Sequence, residues 1–83
     1  MKKTLAIEMN DDVLPALQEE PEQVAREMRL FSAMKWYELG RVSQSKAAEI
    51  AGMSRTAFIT ALSAFGVSPF QETAEEIRRG LRE

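Results

Sequence analysis

The sequence contains neither cysteine nor histidine. Without cysteine the chain forms no disulfide bonds and offers no thiolate metal ligands. Without histidine it lacks the commonest general base, the commonest metal ligand and the side chain that titrates near neutral pH. No apolar run approaches the ~18 residues that span a bilayer, and Glu8 soon interrupts the apolar stretch after Lys2 and Lys3, unlike a secretory signal. We therefore expect a cytoplasmic protein with no cofactor, metal or membrane partner.

Catalytic patterns are also missing. Asp11 and Asp12 are adjacent in sequence, as are Glu19 and Glu20, and adjacent residues do not face each other on a helix. The sequence has no glycine-rich phosphate-binding loop. We expect a protein that is not an enzyme.

The length and the charge distribution limit what the chain can do. With 83 residues it has room for one small domain, residues 1–83, and domains this small bury little surface, so a partner subunit is expected. Residues 1–40 carry five basic and eight acidic side chains, whereas residues 41–66 carry three basic and one acidic. The middle of this acidic chain is therefore locally basic, which fits either a phosphate-facing surface or an ordinary solvated face.

The pattern of residues 4–9 predicts a half-buried β-strand. Leu5, Ile7 and Met9 alternate with more polar residues, which is the period of a strand. A single strand must pair, either within the chain or with its copy in a second chain. The polar residues 10–12 offer an N-cap for a short helix, which completes an N-terminal part at residues 1–20.

Residues 21–66 predict a helical core. Pro21 suits the first position of a helix, and Gly40 marks its end. Two shorter helices follow, and an extended segment with an amphipathic tail occupies residues 67–83. The predicted fold class is mainly α, a small helical domain with a central helix-turn-helix and a short N-terminal β-strand. The apolar residues of the first helix recur at helical spacing: Val24, Met28, Phe31, Met34 and Tyr37.

Residues 43–65 have the spacing of a helix-turn-helix DNA-binding unit. Ala48 is the small residue that lets two helices approach, and Gly52 can take the positive φ of the sharp turn. Met53 is expected to plug the turn, and Ser54 to cap the second helix. A helical hairpin without a ligand satisfies the same steric demands. The residues expected to face the core from the second helix are Phe58, Leu62 and Phe65.

The outward face of the second helix favours DNA binding. Arg55 lies in its first turn, where an arginine can bind guanine with two hydrogen bonds. The start of the first helix offers amides and charge to a phosphate. A solvated side chain is the alternative for each residue, and the preferred one for Thr60. One such unit makes too few contacts for specific binding, which argues for a homodimer on operator DNA. The predicted DNA-binding residues are Gln44, Ser45, Lys46, Ser54, Arg55, Thr56, Ile59 and Thr60.

The stretches "ELGRVSQSKAAEIAGMSRTAFITAL" and "FGVSPFQETAEEI" resemble the small bacterial and archaeal proteins called UPF0175. The matching motifs are Tyr-x-x-Gly at residues 37–40, Ser-x-x-x-Ala-Ala-Glu-x-Ala-Gly-x-Ser-Arg at 43–55, and Gly-Val-x-Pro at 66–69. The resemblance implies an antitoxin of a type II toxin–antitoxin pair. Such a protein binds and inhibits a PIN-type ribonuclease toxin and represses its own operon.

The tail departs from that family because it carries three arginines where members often have a more acidic tail. PIN nucleases hold Mg²⁺ or Mn²⁺ with carboxylates, and an arginine can pair with such a cluster. The alternative is that these arginines pair with glutamates within the tail, as Glu75 with Arg79. The predicted partner-binding residues are Phe70, Ile77, Arg78, Arg79, Leu81 and Arg82.

A protein-interaction adaptor that does not bind DNA is the alternative function. Its helix-turn-helix would serve as a scaffold for a tail that orders on a partner. The pI near 5.2 favours this reading, because dedicated DNA-binding domains tend to be basic. A short PIN-domain reading frame beside the gene would favour the antitoxin.

Overall fold

The structure is a computed structural model that describes residues 2–70. No strand occurs in this part of the chain, and the predicted mainly α fold is confirmed. None of the helices between residues 2 and 70 has the length and hydropathy that crossing a membrane requires. The helices are α1 (Val13–Leu17), α2 (Pro21–Glu38), α3 (Gln44–Ala51) and α4 (Arg55–Ala64).

The strand predicted for residues 4–9 is not formed in the chain. These residues have no regular secondary structure, and the side chain of Leu5 is 85% exposed. A strand needs the backbone groups of a neighbouring strand, and residues 2–70 provide none. The alternating pattern therefore lacks a pairing partner and a surface to bury against.

The long helix α2 packs mainly against two of the other three described helices. Pro21 occupies its first turn, as predicted, since the missing N–H would have no helical partner there. It contacts α1 and α3, and it buries Val24, Ala33, Met34 and Tyr37. Phe31 belongs to the apolar set at helical spacing but is not part of the core. Its ring is exposed and packs edge-to-face on Phe65, with the ring centroids 5.1 Å apart.

The core lies where α2, α3 and α4 meet. Phe58 and Leu62 of α4 are completely buried, as predicted, and the Tyr37 ring packs edge-to-face on Phe58 at 6.2 Å between centroids. The buried Ala47 and Ala48 of α3 have small side chains, so the helices approach closely. No polar or charged side chain among residues 2–70 is buried, so packing of apolar side chains holds this core together.

The region from the start of α1 to its junction with α2 contains several locally unfavourable features. Asp12 occupies the N-cap position of α1 without a side-chain capping hydrogen bond, and Gln18 ends this helix with a φ of +56°. A hydrogen bond with Glu27 raises the pKa of Glu19, and desolvation and repulsion from the Glu27 charge add to the effect. Folding therefore brings two like charges together at this junction.

Candidate nucleic-acid interface

The turn between α3 and α4 satisfies its own backbone groups. Gly52 has a φ of +72°, the left-handed conformation that glycine adopts without steric cost. Its N–H donates to the carbonyl of Glu49 at 3.0 Å, and the N–H of Met53 donates to the carbonyl of Ala48 at 3.0 Å. This pair of hydrogen bonds is the Schellman motif, which satisfies carbonyls at the end of a helix. The predicted glycine turn is thus confirmed.

Serine side chains cap both helices of the unit. The Oγ of Ser43 accepts a hydrogen bond from the N–H of Lys46, and the Oγ of Ser54 accepts one from the N–H of Ala57, each at 3.1 Å. Both bonds satisfy donors that a helix cannot satisfy by itself in its first turn. The two caps therefore fix where α3 and α4 begin.

Arg29 of α2, rather than Met53, covers the turn. Met53 is 36% exposed, so the prediction that it plugs the turn is wrong. The Nε of Arg29 donates to the carbonyl of Ile50 at 2.8 Å, in the last turn of α3, where a positive charge also suits the helix dipole. A Cβ added to Gly52 would lie 3.2 Å from Nη2 of Arg29. The guanidinium group of Arg29 thus lies directly against the turn.

A chain of hydrogen bonds links the start of α3 to the start of α4. The Oε1 of Gln44 accepts a hydrogen bond from the Nε of Arg55 at 2.7 Å. The Nε2 of Gln44 donates to the carbonyl of Pro69 at 2.9 Å, and the hydroxyl of Tyr37 donates to the same carbonyl. Gln44 therefore has both ends of its amide engaged, and it holds the Arg55 side chain in one orientation.

These residues line a groove with a volume of about 620 Å³. Arg41 and Arg55 lie along it, and Phe70 is at its edge with 85% of its side chain exposed. Arg41 also lies over the ring of Trp36, 5.7 Å from the centroid, which is a cation–π distance. The groove therefore brings two arginines and one large exposed aromatic ring to the same surface.

A match over all 83 residues relates the chain to a known protein family. The family described as "Uncharacterised protein family (UPF0175)" matches residues 1–83. The chain belongs to this family. Neither the curated proteins nor the solved structures include a match to this UPF0175 chain. The resemblance noted from the motifs at residues 37–69 is thereby confirmed at the level of the family.

The predicted DNA-binding residues of this UPF0175 protein divide into two groups. Gln44, Ser45, Arg55 and Ile59 line the groove together. The others lie outside its lining: Lys46, Ser54, Thr56 and Thr60.

Two of the predicted DNA-binding residues outside the groove lining, Lys46 and Thr60, have contacts within the chain. Lys46 forms an exposed ion pair with Glu49 at 3.0 Å, a kind of pair that is worth little in water. The hydroxyl of Thr60 donates to the carbonyl of Thr56 at 3.1 Å, within the helix. The prediction that α4 leaves Arg55 on its outer surface is confirmed. The prediction that Phe65 faces the core is wrong, because its side chain is 55% exposed just after the end of α4.

Three functional contributors in this UPF0175 protein were not found from the sequence. Arg29 covers the turn from a distant helix, and Arg41 and the Pro69 carbonyl belong to the groove. No sequence signal pointed to Arg29 on α2, because no local pattern shows which distant carbonyl its side chain reaches. The Tyr-x-x-Gly and Gly-Val-x-Pro motifs hold Tyr37 and Pro69, so the signal for their contact was present as two separate motifs. Among the predicted partner-binding residues, Ile77, Arg78, Arg79, Leu81 and Arg82 lie outside the described residues.

Proposed function

We propose that this UPF0175 protein is a DNA-binding antitoxin of a type II toxin–antitoxin pair, without enzymatic activity of its own. It binds its operator through the α3–α4 unit and represses its own operon, and it neutralises a PIN-type ribonuclease toxin. The observation that carries the DNA-binding half is the hydrogen bond that holds Arg55 to Gln44 at the exposed start of α4.

The geometry of Arg55 suits base recognition. Within residues 2–70, only the Nε–H of the Arg55 guanidinium group has a hydrogen-bond partner, the Oε1 of Gln44. The Nη1 and Nη2 donors of Arg55 therefore remain for a ligand. Two adjacent donors match the O6 and N7 acceptors of guanine in the major groove. Because Gln44 restricts the side chain before binding, less conformational entropy is lost on DNA. This arrangement supports a specific contact more than a general attraction to phosphate.

The toxin-binding half of the proposal rests on the family and on one exposed residue. Phe70 presents its ring at the edge of the groove and leads into residues 71–83, which carry the remaining predicted partner-binding residues. Large exposed aromatic side chains are typical centres of protein interfaces. The toxin is therefore expected to bind from Phe70 onwards.

Binding of the purified protein to its own upstream DNA tests the first half. Fluorescence anisotropy compares this DNA with scrambled DNA at two salt concentrations, because phosphate contacts weaken steeply with salt and base contacts carry the preference. We expect a preference for the upstream DNA that persists at the higher salt. Weak binding that disappears with salt on both DNAs would contradict the proposal.

Two substitutions separate base reading from charge. Arg55→Ala should cost about 1–3 kcal/mol of affinity and relax one base position. Gln44→Met keeps the side-chain length but removes the hydrogen bond to Arg55, so it should cause a smaller loss at the same base position. Arg26→Ala is the charge-matched control, since Arg26 is exposed on α2 and bonded to Gln23. An equal loss in Arg26→Ala would show that only net charge matters.

Co-expression with a PIN-type toxin tests the second half. Cells that carry the toxin should grow when the intact protein is present. A variant with Arg78, Arg79 and Arg82 changed to alanine should lose inhibition if these arginines enter the metal-binding carboxylates of the toxin. Full inhibition by that variant would remove the arginines from this role and leave the apolar residues Phe70, Ile77 and Leu81 as the contact.

A protein-interaction adaptor is the second candidate, and one observation favours it. Phe31 and Phe65 form an exposed aromatic pair on α2 and at the end of α4. Exposed apolar patches of this kind mark sites of protein interaction. Absence of sequence preference in the DNA experiment, together with partner binding that Phe31→Ser abolishes, would support the adaptor.

A further inference from the structure

The segment at residues 4–9 has a pattern that the folded chain does not use. Leu5, Ile7 and Met9 occupy alternate positions, and their side chains are 85%, 58% and 40% exposed. Residues 2–70 contain no strand with which this segment can pair. Three large apolar side chains at strand spacing are thus left in water, although the helical core is packed without them.

We propose that residues 4–9 pair in antiparallel with the same segment of a second copy of this chain, centred on Ile7. In this register Ile7 lies opposite Ile7 of the second copy, and Leu5 lies opposite Met9. All six apolar side chains then share one face of the ribbon, because directly opposed residues of antiparallel strands point to the same side. The polar positions Thr4, Glu8 and Asn10 share the other face with Ala6.

Charge selects this arrangement over its competitors. Lys2 and Lys3 of one copy come next to Asp12 and Asp11 of the other at both ends of the ribbon. Parallel pairing would instead place the lysines beside lysines and the aspartates beside aspartates, which is destabilising.

Neighbouring antiparallel registers are also worse. Moving the centre to residue 8 puts the two copies of Glu8 opposite each other, and moving it to residue 6 puts Lys3 opposite Met9. A register centred between two residues, such as between Ile7 and Glu8, instead places apolar side chains of one copy on the same face as polar side chains of the other. Only the register centred on Ile7 keeps both the apolar face and the charge pairs.

This interface would supply the second helix-turn-helix unit that binding to an operator needs. Its biological use therefore rests on the proposed function. Its existence does not depend on DNA. The interface can therefore be tested on the protein alone, and its failure can be distinguished from failure of DNA binding.

Engineered cysteines test the register, and the natural lack of cysteine makes each one unique in the chain. In Ile7→Cys the two thiols of a dimer are directly opposed, within the Cα separation of about 7 Å that a disulfide allows. In the control Leu5→Cys the two thiols are offset by four residues, roughly 13 Å along the ribbon. Under mild oxidation we expect Ile7→Cys to form disulfide-linked dimers at least about tenfold faster than Leu5→Cys. The double variant Leu5→Cys with Met9→Cys should recover the fast rate.

Two results would overturn the inference. Equal rates for Ile7→Cys and Leu5→Cys would indicate parallel or random contacts rather than this register. A monomer in sedimentation equilibrium of the unmodified protein would exclude the interface outright. Fast linkage of Ile7→Cys without sequence-specific DNA binding would support the interface while rejecting the proposed operator function. DNA binding by a protein that fails the cysteine test would do the reverse.

Discussion

The α3–α4 unit and the segment before α1 carry equally clear sequence patterns, yet only the first forms the predicted structure. At the turn, the hydrogen bonds of Gly52 and Met53 reach carbonyls that are three to five residues away in the chain. The segment at residues 4–9 needs a partner strand, and nothing at residues 2–70 supplies one. A sequence pattern whose hydrogen bonds join nearby residues therefore determines its structure by itself. A strand pattern does not, because it also requires a second strand as a hydrogen-bonding partner.

The largest contrast between the two regions is expected in side-chain truncation. Phe58→Ala removes a fully buried ring and should lower the free energy of unfolding by about 3–5 kcal/mol, close to the whole stability of a small domain. Leu5→Ala removes an exposed side chain and should change it by less than about 0.5 kcal/mol at protein concentrations that favour the monomer. Urea unfolding measures both, and comparable losses would mean that residues 4–9 pack on the core.

The turn itself should be the next most sensitive position. Gly52→Val forces a β-branched residue into a positive φ and should cost about 2 kcal/mol or more, because its side chain also meets Arg29. Gly66→Val is a matched control, since Gly66 has the same φ of +72° but open space around an added Cβ. The larger loss of unfolding free energy in Gly52→Val than in Gly66→Val measures the cost of displacing Arg29. This difference should disappear when the two glycine substitutions are compared in the Arg29→Ala background. Equal losses in the unmodified background would contradict that role of Arg29.

A smaller effect is expected at the helix caps. Ser54→Ala removes an observed capping bond and should cost about 1 kcal/mol. Asp12→Ala, next to the unpaired segment, removes no side-chain cap and should cost less than about 0.5 kcal/mol. Thermal unfolding of the two variants checks this order, and a larger effect at Asp12 would reverse our view of which end of the chain is locally specified.

The smallest effect concerns pH and the junction of α1 and α2, which lies between the two regions in the chain. The folded pKa of Glu19 lies above its ordinary value of 4.5 because of Glu27. Between these two values the folded state binds more protons than the unfolded state, so stability falls as pH rises through that window, and the cost is fully present above it. Glu19→Gln should therefore raise the free energy of unfolding at pH 7 and flatten its dependence on pH. Glu27→Gln removes the same interaction, and a lack of effect in both variants would contradict the assignment.

Predictions from the sequence were correct mainly where the interacting residues are close together in the chain. Pro21, Gly52 and Ser54 act on backbone groups within a few positions, and their roles were predicted from the sequence. Phe58 and Leu62 were assigned to the core from spacing alone, because helical periodicity selects one face.

The errors arose where tertiary contacts decide between equivalent choices. Met53 and Phe65 fit the apolar pattern, but Arg29 covers the turn, and the exposed Phe65 ring packs edge-to-face on Phe31. The Gln44–Arg55 hydrogen bond joins two residues that had both been assigned to DNA, one of which turns out to position the other. Their separation of eleven positions hides this contact from any local pattern.

The shortness of the α3–α4 connection has a kinetic consequence. Only residues 52–54 separate the two helices, so their contacts are local in sequence and their contact order is low. Helical domains of this kind fold in microseconds to milliseconds. A locally opened α3–α4 unit therefore recloses faster than a protease usually cuts, and degradation then depends on how often the unit is open at equilibrium rather than on its unfolding rate. For a protein proposed to restrain a toxin, cellular lifetime would thus be set by thermodynamic stability and by whatever partner shifts that equilibrium.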